Sequence, residues 1–255
     1  MFRFANPDFL YLLLILPLLV ALFLYSNYRR RQKIQKYGDP TMLEALMPNV
    51  SKHRPDLKFW LTFSALALII LMLSLKRISY YGLCKAEHTK ELLYFIPLAL
   101  IVSVNLWSGI NINNTPTEII FHTLNMLNIG FIEEIIFRGF LFRMMEKDSP
   151  RAAIAVSSIT FGIGHIVNLF NGADLVPTLL QVCYATAVGY LFVIIFHKSK
   201  SLIPCIIAHS VNNALSVFNE ENTVSLYIAP VFLTVAPLVY AIYINRRLKD
   251  KEVTV

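Results

Sequence analysis

Charge is what this 255-residue sequence has least of. Only 15% of its residues are Asp, Glu, Lys or Arg, while 56% are hydrophobic. Soluble domains run at about 25% charged and about 45–50% apolar. The departure in both directions argues against a soluble enzyme, a disordered chain or a nucleic-acid-binding domain, and no nucleic-acid partner is expected. Cysteine is scarce as well. Cys84, Cys183 and Cys205 have no paired or metal-type spacing and two of them fall in apolar stretches, so no disulfide framework is read. The first apolar run has no small-residue cleavage site after it, which reads as a retained anchor rather than a signal peptide. The net charge of +7 would suggest an acidic partner in a soluble protein. In a membrane protein such cations more often set orientation.

What is abundant is apolar sequence in runs of the length that crosses a bilayer, about 17–25 residues. Eight candidates stand at 8–26, 58–75, 93–110, 117–143, 152–170, 175–196, 202–218 and 224–245. They predict an all-α, polytopic transmembrane helical bundle, a multi-pass protein of the cell membrane whose first partner is the lipid bilayer. Prolines inside several runs (Pro17, Pro97, Pro204, Pro230, Pro237) are tolerated in membrane helices.

Of the 23 Lys and Arg residues, 20 lie in five places: 27–57, 76–91, 143–151, 197–201 and the C-terminal tail. The connections near 111–116, 171–174 and 219–223 hold none. From residue 76 onward cation-rich and cation-free connections alternate, so the positive-inside rule puts 76–91 and the tail in the cytoplasm. The first 75 residues break that pattern. Segments 27–57 and 76–91 are both basic, yet a single apolar run separates them. The expectation is a two-module chain, an N-terminal membrane anchor over 1–75 and a second domain over 76–255. Both basic segments would then be cytoplasmic, with 58–75 failing to cross fully.

Ionisable groups inside bilayer segments are costly and mark function by default. Here they concentrate in three runs: Glu133, Glu134 and Arg138 in the fourth, His165 in the fifth, His209 in the seventh, the last followed by Asn212 and Asn213. Glu134 and Arg138, Phe161 and His165, and His209 and Asn213 are each four apart, so each pair shares a helix face. Glu133 lies about 100° round from Glu134 and can point into a cavity. Gly162 and Gly164 remove bulk beside His165. All could meet in a pocket in the cytoplasmic half of the membrane. The weaker candidates are His197 at a membrane edge, Glu118 and His122 as an interfacial pair, and Asn125, Asn128, Asn168 and Gln181 as cavity lining. Asn212 reads as polar packing.

A carboxylate, two imidazoles and a carboxamide suit hydrolysis. The carboxylate can act as a base toward water, a histidine can orient that water or carry the proton to the leaving amine, and a second His with an Asn can donate to a developing oxyanion. The same Glu133, His165 and His209 could instead hold Zn²⁺ with a water in the fourth position. H-E-x-x-H, the helix string of soluble zinc proteases, is absent. The alternative is a non-catalytic membrane protein that captures a membrane-active peptide, as in bacteriocin immunity.

The order Glu-Glu-x-x-x-Arg (Glu133, Glu134, Arg138), Phe-x-x-x-His (Phe161, His165) and His-x-x-x-Asn (His209, Asn213), each on its own apolar run, resembles the CAAX protease and bacteriocin-processing (Abi) family of intramembrane proteases. The resemblance runs from about Ile78-Ser79-Tyr80-Tyr81-Gly82-Leu83 to about residue 245. It implies an endopeptidase of the membrane, often labelled a metalloprotease, whose site opens toward the cytoplasm and whose substrates are hydrophobic or prenylated peptides and proteins. It further implies that Glu133 activates water with His165, that His209 and Asn213 form the oxyanion site, and that Glu134 and Arg138 hold their helix in place. The text Phe2-Arg3-Phe4-Ala5-Asn6-Pro7, then Gly38-Asp39-Pro40, then Arg54-Pro55-Asp56-Leu57-Lys58-Phe59 resembles the membrane anchor of aerotolerance-type von Willebrand factor A proteins. The adhesion domain of that family and its metal-ion motif are absent here, so its binding function is not expected.

Overall fold

A computed structural model describes residues 15–37, 54–74, 78–86, 95–170 and 172–248. The start of the first apolar run, residues 38–53 of the first basic segment, residues 76–77 and 87–91 of the second and the end of the tail lie outside these residues. Two compact units result, Met1–Arg77 and Ile78–Val255. The first holds α1 (Ile15–Tyr37) and α2 (Arg54–Ser74), which meet through Phe23 stacked on Phe59 at 3.9 Å.

The second unit is built from α3 (Phe95–Ser103), α4 (Pro116–Glu134), α5 (Arg143–Glu146), α6 (Pro150–Gly164), α7 (Val167–Phe170), α8 (Leu175–Ser199), α9 (Ile203–Leu215) and α10 (Ala229–Arg247). A π-helical stretch, Ile135–Phe142, joins α4 to α5 without a break, and 3₁₀ turns close α3 and α9. Among the described residues the architecture is all-helical, with one isolated bridge, Ile110 to Asn219. Sequence punctuation sets the helix starts. Thr115 caps α4 in a capping box with Glu118, followed by Pro116, and Ser149 caps α6 ahead of Pro150. Lys200 ends α8 in the left-handed conformation, φ 57°.

Eight membrane-length helices are not found among the described residues. Among the described residues four are long and apolar enough to cross: Pro116–Glu146, Pro150–Phe170, Leu175–Ser199 and Val224–Arg247. The runs expected at 58–75, 93–110 and 202–218 appear as shorter apolar helices, Thr62–Ser74, Phe95–Leu106 and Ile203–Phe218. The reason is local. The 93–110 run tightens into 3₁₀ at Val104–Leu106 and turns at Gly109, φ 108°. The 202–218 run opens with Pro204 in its first turn and closes in 3₁₀ at Ser216–Phe218.

Helices α8 and α10 pack together, α6 lies along α8, and α9 sits between α4 and α3. The apolar core is shared by α3 (Leu98, Ile101), α8 (Leu191, Ile194, Ile195), α9 (Cys205, Ala208) and α10 (Leu233, Ala241, Ile244). The connections sort by charge. At the cation-free end, Asn111 N donates to Phe218 O at 2.8 Å and Ser108 Oγ to Asn219 Oδ1 at 2.6 Å, while His122 and Ser216 are 3.1 Å apart. At the cation-rich end, Leu202 N donates to Gly82 O at 2.7 Å and Ser201 Oγ to Cys84 O at 2.5 Å.

Candidate functional site

The site begins at a close helix crossing. Gly130 of α4 lies so near α9 that a Cβ there would stand 2.9 Å from the Ser210 backbone, and Ser210 Oγ donates to Leu127 O at 3.1 Å. One turn further along α4, this contact places His209 beside the paired glutamates. Gly162 does the same for α6 and α8, where an added Cβ would meet Val182 O at 2.8 Å. Gly164 faces open space, so its lack of bulk has no packing role.

Arg138 Nη1 donates to Glu134 Oε1 at 3.0 Å, and both side chains are fully buried. The same Oε1 stands 2.8 Å from His209 Nδ1. A carboxylate paired with a guanidinium can only accept, so Nδ1 carries the hydrogen and Nε2 is the nitrogen left to react. That Nε2 lies 3.4 Å from Glu133 Oε2. His209 therefore joins the two glutamates, a connection that helix-face reasoning within α4 could not supply. The guanidinium of Arg138 lies over the Phe161 ring at 4.2 Å and the Phe192 ring at 5.7 Å. This stacking compensates for Nε and Nη2, which have no hydrogen-bond partner. Gly189 makes room for it, since a Cβ there would meet Phe161 at 3.0 Å and Arg138 at 3.1 Å.

Phe161 organises the imidazoles, with its ring 5.3 Å from His165 and 5.6 Å from His209, edge to face in both cases. His165 Nδ1 is 3.0 Å from Phe161 O. A carbonyl only accepts, so here too Nδ1–H donates and Nε2 remains the lone-pair nitrogen. A cavity of about 90 Å³ opens beside them, lined by Phe161, His165, His209, Asn213, Gln181 and Tyr184 among others. Asn212, expected to serve packing alone, also lines it and accepts a bond from Asn105 Nδ2. Gln181 reaches the cavity and accepts from Asn168 at 2.8 Å. Tyr184 carries no motif and was missed by sequence reasoning. Its place three residues after Gln181 on α8 is the only signal it offered.

Two lesser expectations change. Glu118 and His122 do not pair: Glu118 completes the capping box with Thr115 and His122 meets Ser216. His197 is not a water-facing edge residue. Its Nδ1 lies 2.6 Å from Glu146 Oε1, and the Glu146 carboxylate also takes Arg143 at 2.5 Å and Lys200 at 3.5 Å.

Residues 115–215 match the type II CAAX prenyl endopeptidase, Rce1-like family. The matched segment opens at the α4 cap and closes with α9, and contains all seven motif residues. Residues 1–74 match the aerotolerance regulator N-terminal family. Both resemblances read from the sequence are borne out over these segments, and the chain is a multi-pass membrane protein. No curated protein and no solved structure matches the chain.

A zinc site fits these residues poorly. Among the described residues no three His, Cys, Asp or Glu side chains stand where they could hold a metal together, so Glu133, His165 and His209 are not gathered as a ligand set. Toward the cation-rich end, Leu191–Phe196 of α8, Phe142 and Leu202 are at most 1% exposed.

Proposed function

We propose that the protein is an intramembrane endopeptidase of the CAAX-protease type, cutting a peptide bond in a hydrophobic or lipidated peptide or protein at the Glu133, His165, His209 and Asn213 set. The observation that carries this reading is the chain Arg138–Glu134–His209–Glu133, which ends on a partly exposed carboxylate and whose His209 lines the cavity together with His165 and Asn213.

Glu133 is the base. It takes a proton from water as the water oxygen attacks the peptide carbonyl, with His165 Nε2 orienting that water. The tetrahedral oxyanion accepts hydrogen bonds from the Asn213 amide and from His209 Nε2–H when that ring is doubly protonated. Collapse breaks the C–N bond, and the proton held by Glu133 passes to the leaving amine. Glu134 and Arg138 act behind the reacting atoms. Glu134 fixes the tautomer and plane of His209, and Arg138 holds the Glu134 carboxylate in place through its 3.0 Å bond.

The test is purified protein in detergent against a library of hydrophobic and C-terminally prenylated peptides. Cleavage by wild type that vanishes in Glu133→Gln and His209→Ala is expected. Undiminished cleavage in either variant would remove the assigned mechanism. Binding of peptide that survives Glu133→Gln without any cleavage by wild type would favour capture over catalysis.

A further inference from the structure

A groove of about 380 Å³ runs between α6, α8 and α10 and shares no lining residue with the polar cavity. Its α6 wall is Arg151, Ile154, Ala155, Ser158 and Ile159. Steps of three and four put these on one helix face. Thr186 and Tyr190 come from α8, Leu238 and Asn245 from α10.

Polarity is sorted along the groove. Arg151 is the second residue of α6 and Asn245 the third from the end of α10, so both stand at the cation-rich end. The positive-inside rule places that end at the cytoplasmic leaflet. Ile159 lies eight residues further along α6, about 12 Å, close to the depth of one leaflet's hydrocarbon, about 15 Å. The hydroxyls on the way are already spent. Ser158 Oγ donates to Ile154 O at 2.7 Å and Thr186 Oγ1 to Val182 O at 2.8 Å. A peptide would bring a donor and an acceptor with each residue and would meet the single hydroxyl of Tyr190. A hydrocarbon chain asks for none. At the mouth the demand is the opposite, since Arg151 is exposed and no Asp or Glu lines the groove.

From this sorting we infer that the groove holds an anionic phospholipid of the cytoplasmic leaflet. One acyl chain lies against Ile154, Ala155, Ile159 and Leu238, and the phosphate accepts hydrogen bonds from Arg151 and the Asn245 amide. A basic recess between membrane helices at this level is the setting in which acidic headgroups bind. The inference concerns binding alone and is independent of the peptidase reading.

The test is native mass spectrometry of the full chain in detergent, titrated with phosphatidylglycerol, with phosphatidylcholine and diacylglycerol of the same acyl chains, and with inorganic phosphate. Preferential retention of phosphatidylglycerol is expected. Its affinity should fall about fivefold in Arg151→Gln, the loss of one cation near an anionic lipid, and should stay unchanged in Arg247→Gln, a cation of the same end outside the lining. Ala155→Trp, which fills the groove, should abolish retention. Arg151 is exposed, so its variant decides the matter even if Ala155→Trp does not fold. Equal losses in Arg151→Gln and Arg247→Gln overturn the inference, as does retention in folded Ala155→Trp. Diacylglycerol or phosphatidylcholine bound as tightly as phosphatidylglycerol would remove the phosphate contact, and inorganic phosphate bound as tightly would remove the chain. Displacement of the lipid by a farnesylated peptide would assign the groove to substrate instead.

Discussion

Two buried clusters are rooted on one continuous helical stretch, α4 to α5, each completed by a histidine from another helix, and they are built for different ends. In the first, Arg138, Glu134 and His209 form a line whose last atom, His209 Nε2, is uncommitted except toward Glu133 at 3.4 Å. In the second, Arg143, His197 and Lys200 all converge on the single carboxylate of Glu146. The second closes on itself around one carboxylate, away from the cavity. It ties α5 to the end of α8 where the chain turns through Lys200. The same residue types thus give a reactive end in one place and a knot in the other, and the difference is whether the chain of contacts stops on an atom that lines the cavity.

Substitutions can break or sharpen that contrast. Glu133→Gln should abolish cleavage, by about 10²–10⁴-fold in kcat, with an unchanged melting profile, since it removes the base and no buried pair. Arg138→Met should cost about 3–5 kcal/mol of stability, because Glu134 would stay buried without its counter-charge. It should also reduce kcat through His209, and thermal unfolding beside a cleavage assay would read both effects. Asn213→Ala should lower kcat by about 10²–10³-fold while leaving peptide binding in place, as loss of one oxyanion donor does. Glu146→Gln should destabilise by about 1–3 kcal/mol yet leave kcat near wild type. If it silences catalysis in folded protein, the distinction between the two clusters falls. The smallest change is expected of His197→Phe, about 1 kcal/mol, with activity retained.

How much of this could be read in advance depended on whether a contact lay within one helix or between two. Glu134–Arg138 follows from a spacing of four, and the structure places that pair as expected. The four long apolar helices follow from run length, whereas 93–110 and 202–218 were overcounted because 3₁₀ turns at their ends shorten the helical part. His209 with Glu134, separated by 75 residues, and His197 with Glu146, separated by 51, have no periodic signature. They depend on which helices cross, which is set by Gly130 and Gly162 rather than by the residues that meet.

The π-helical stretch between the clusters has a consequence for rotational phase. Five residues separate Arg138 from Arg143. At about 100° per residue an α-helix would swing them about 140° apart, whereas the wider π turn, at roughly 82° per residue, leaves about 50°. That small offset lets Arg138 reach Phe192 and Arg143 reach Phe196, one turn apart on the same neighbouring helix. Excising one residue between 139 and 142 would restore α pitch and leave about 40°, almost the same bearing. Inserting one would turn the second cluster away from α8. The helix is therefore asymmetric toward length change in this stretch, forgiving of a loss and intolerant of a gain.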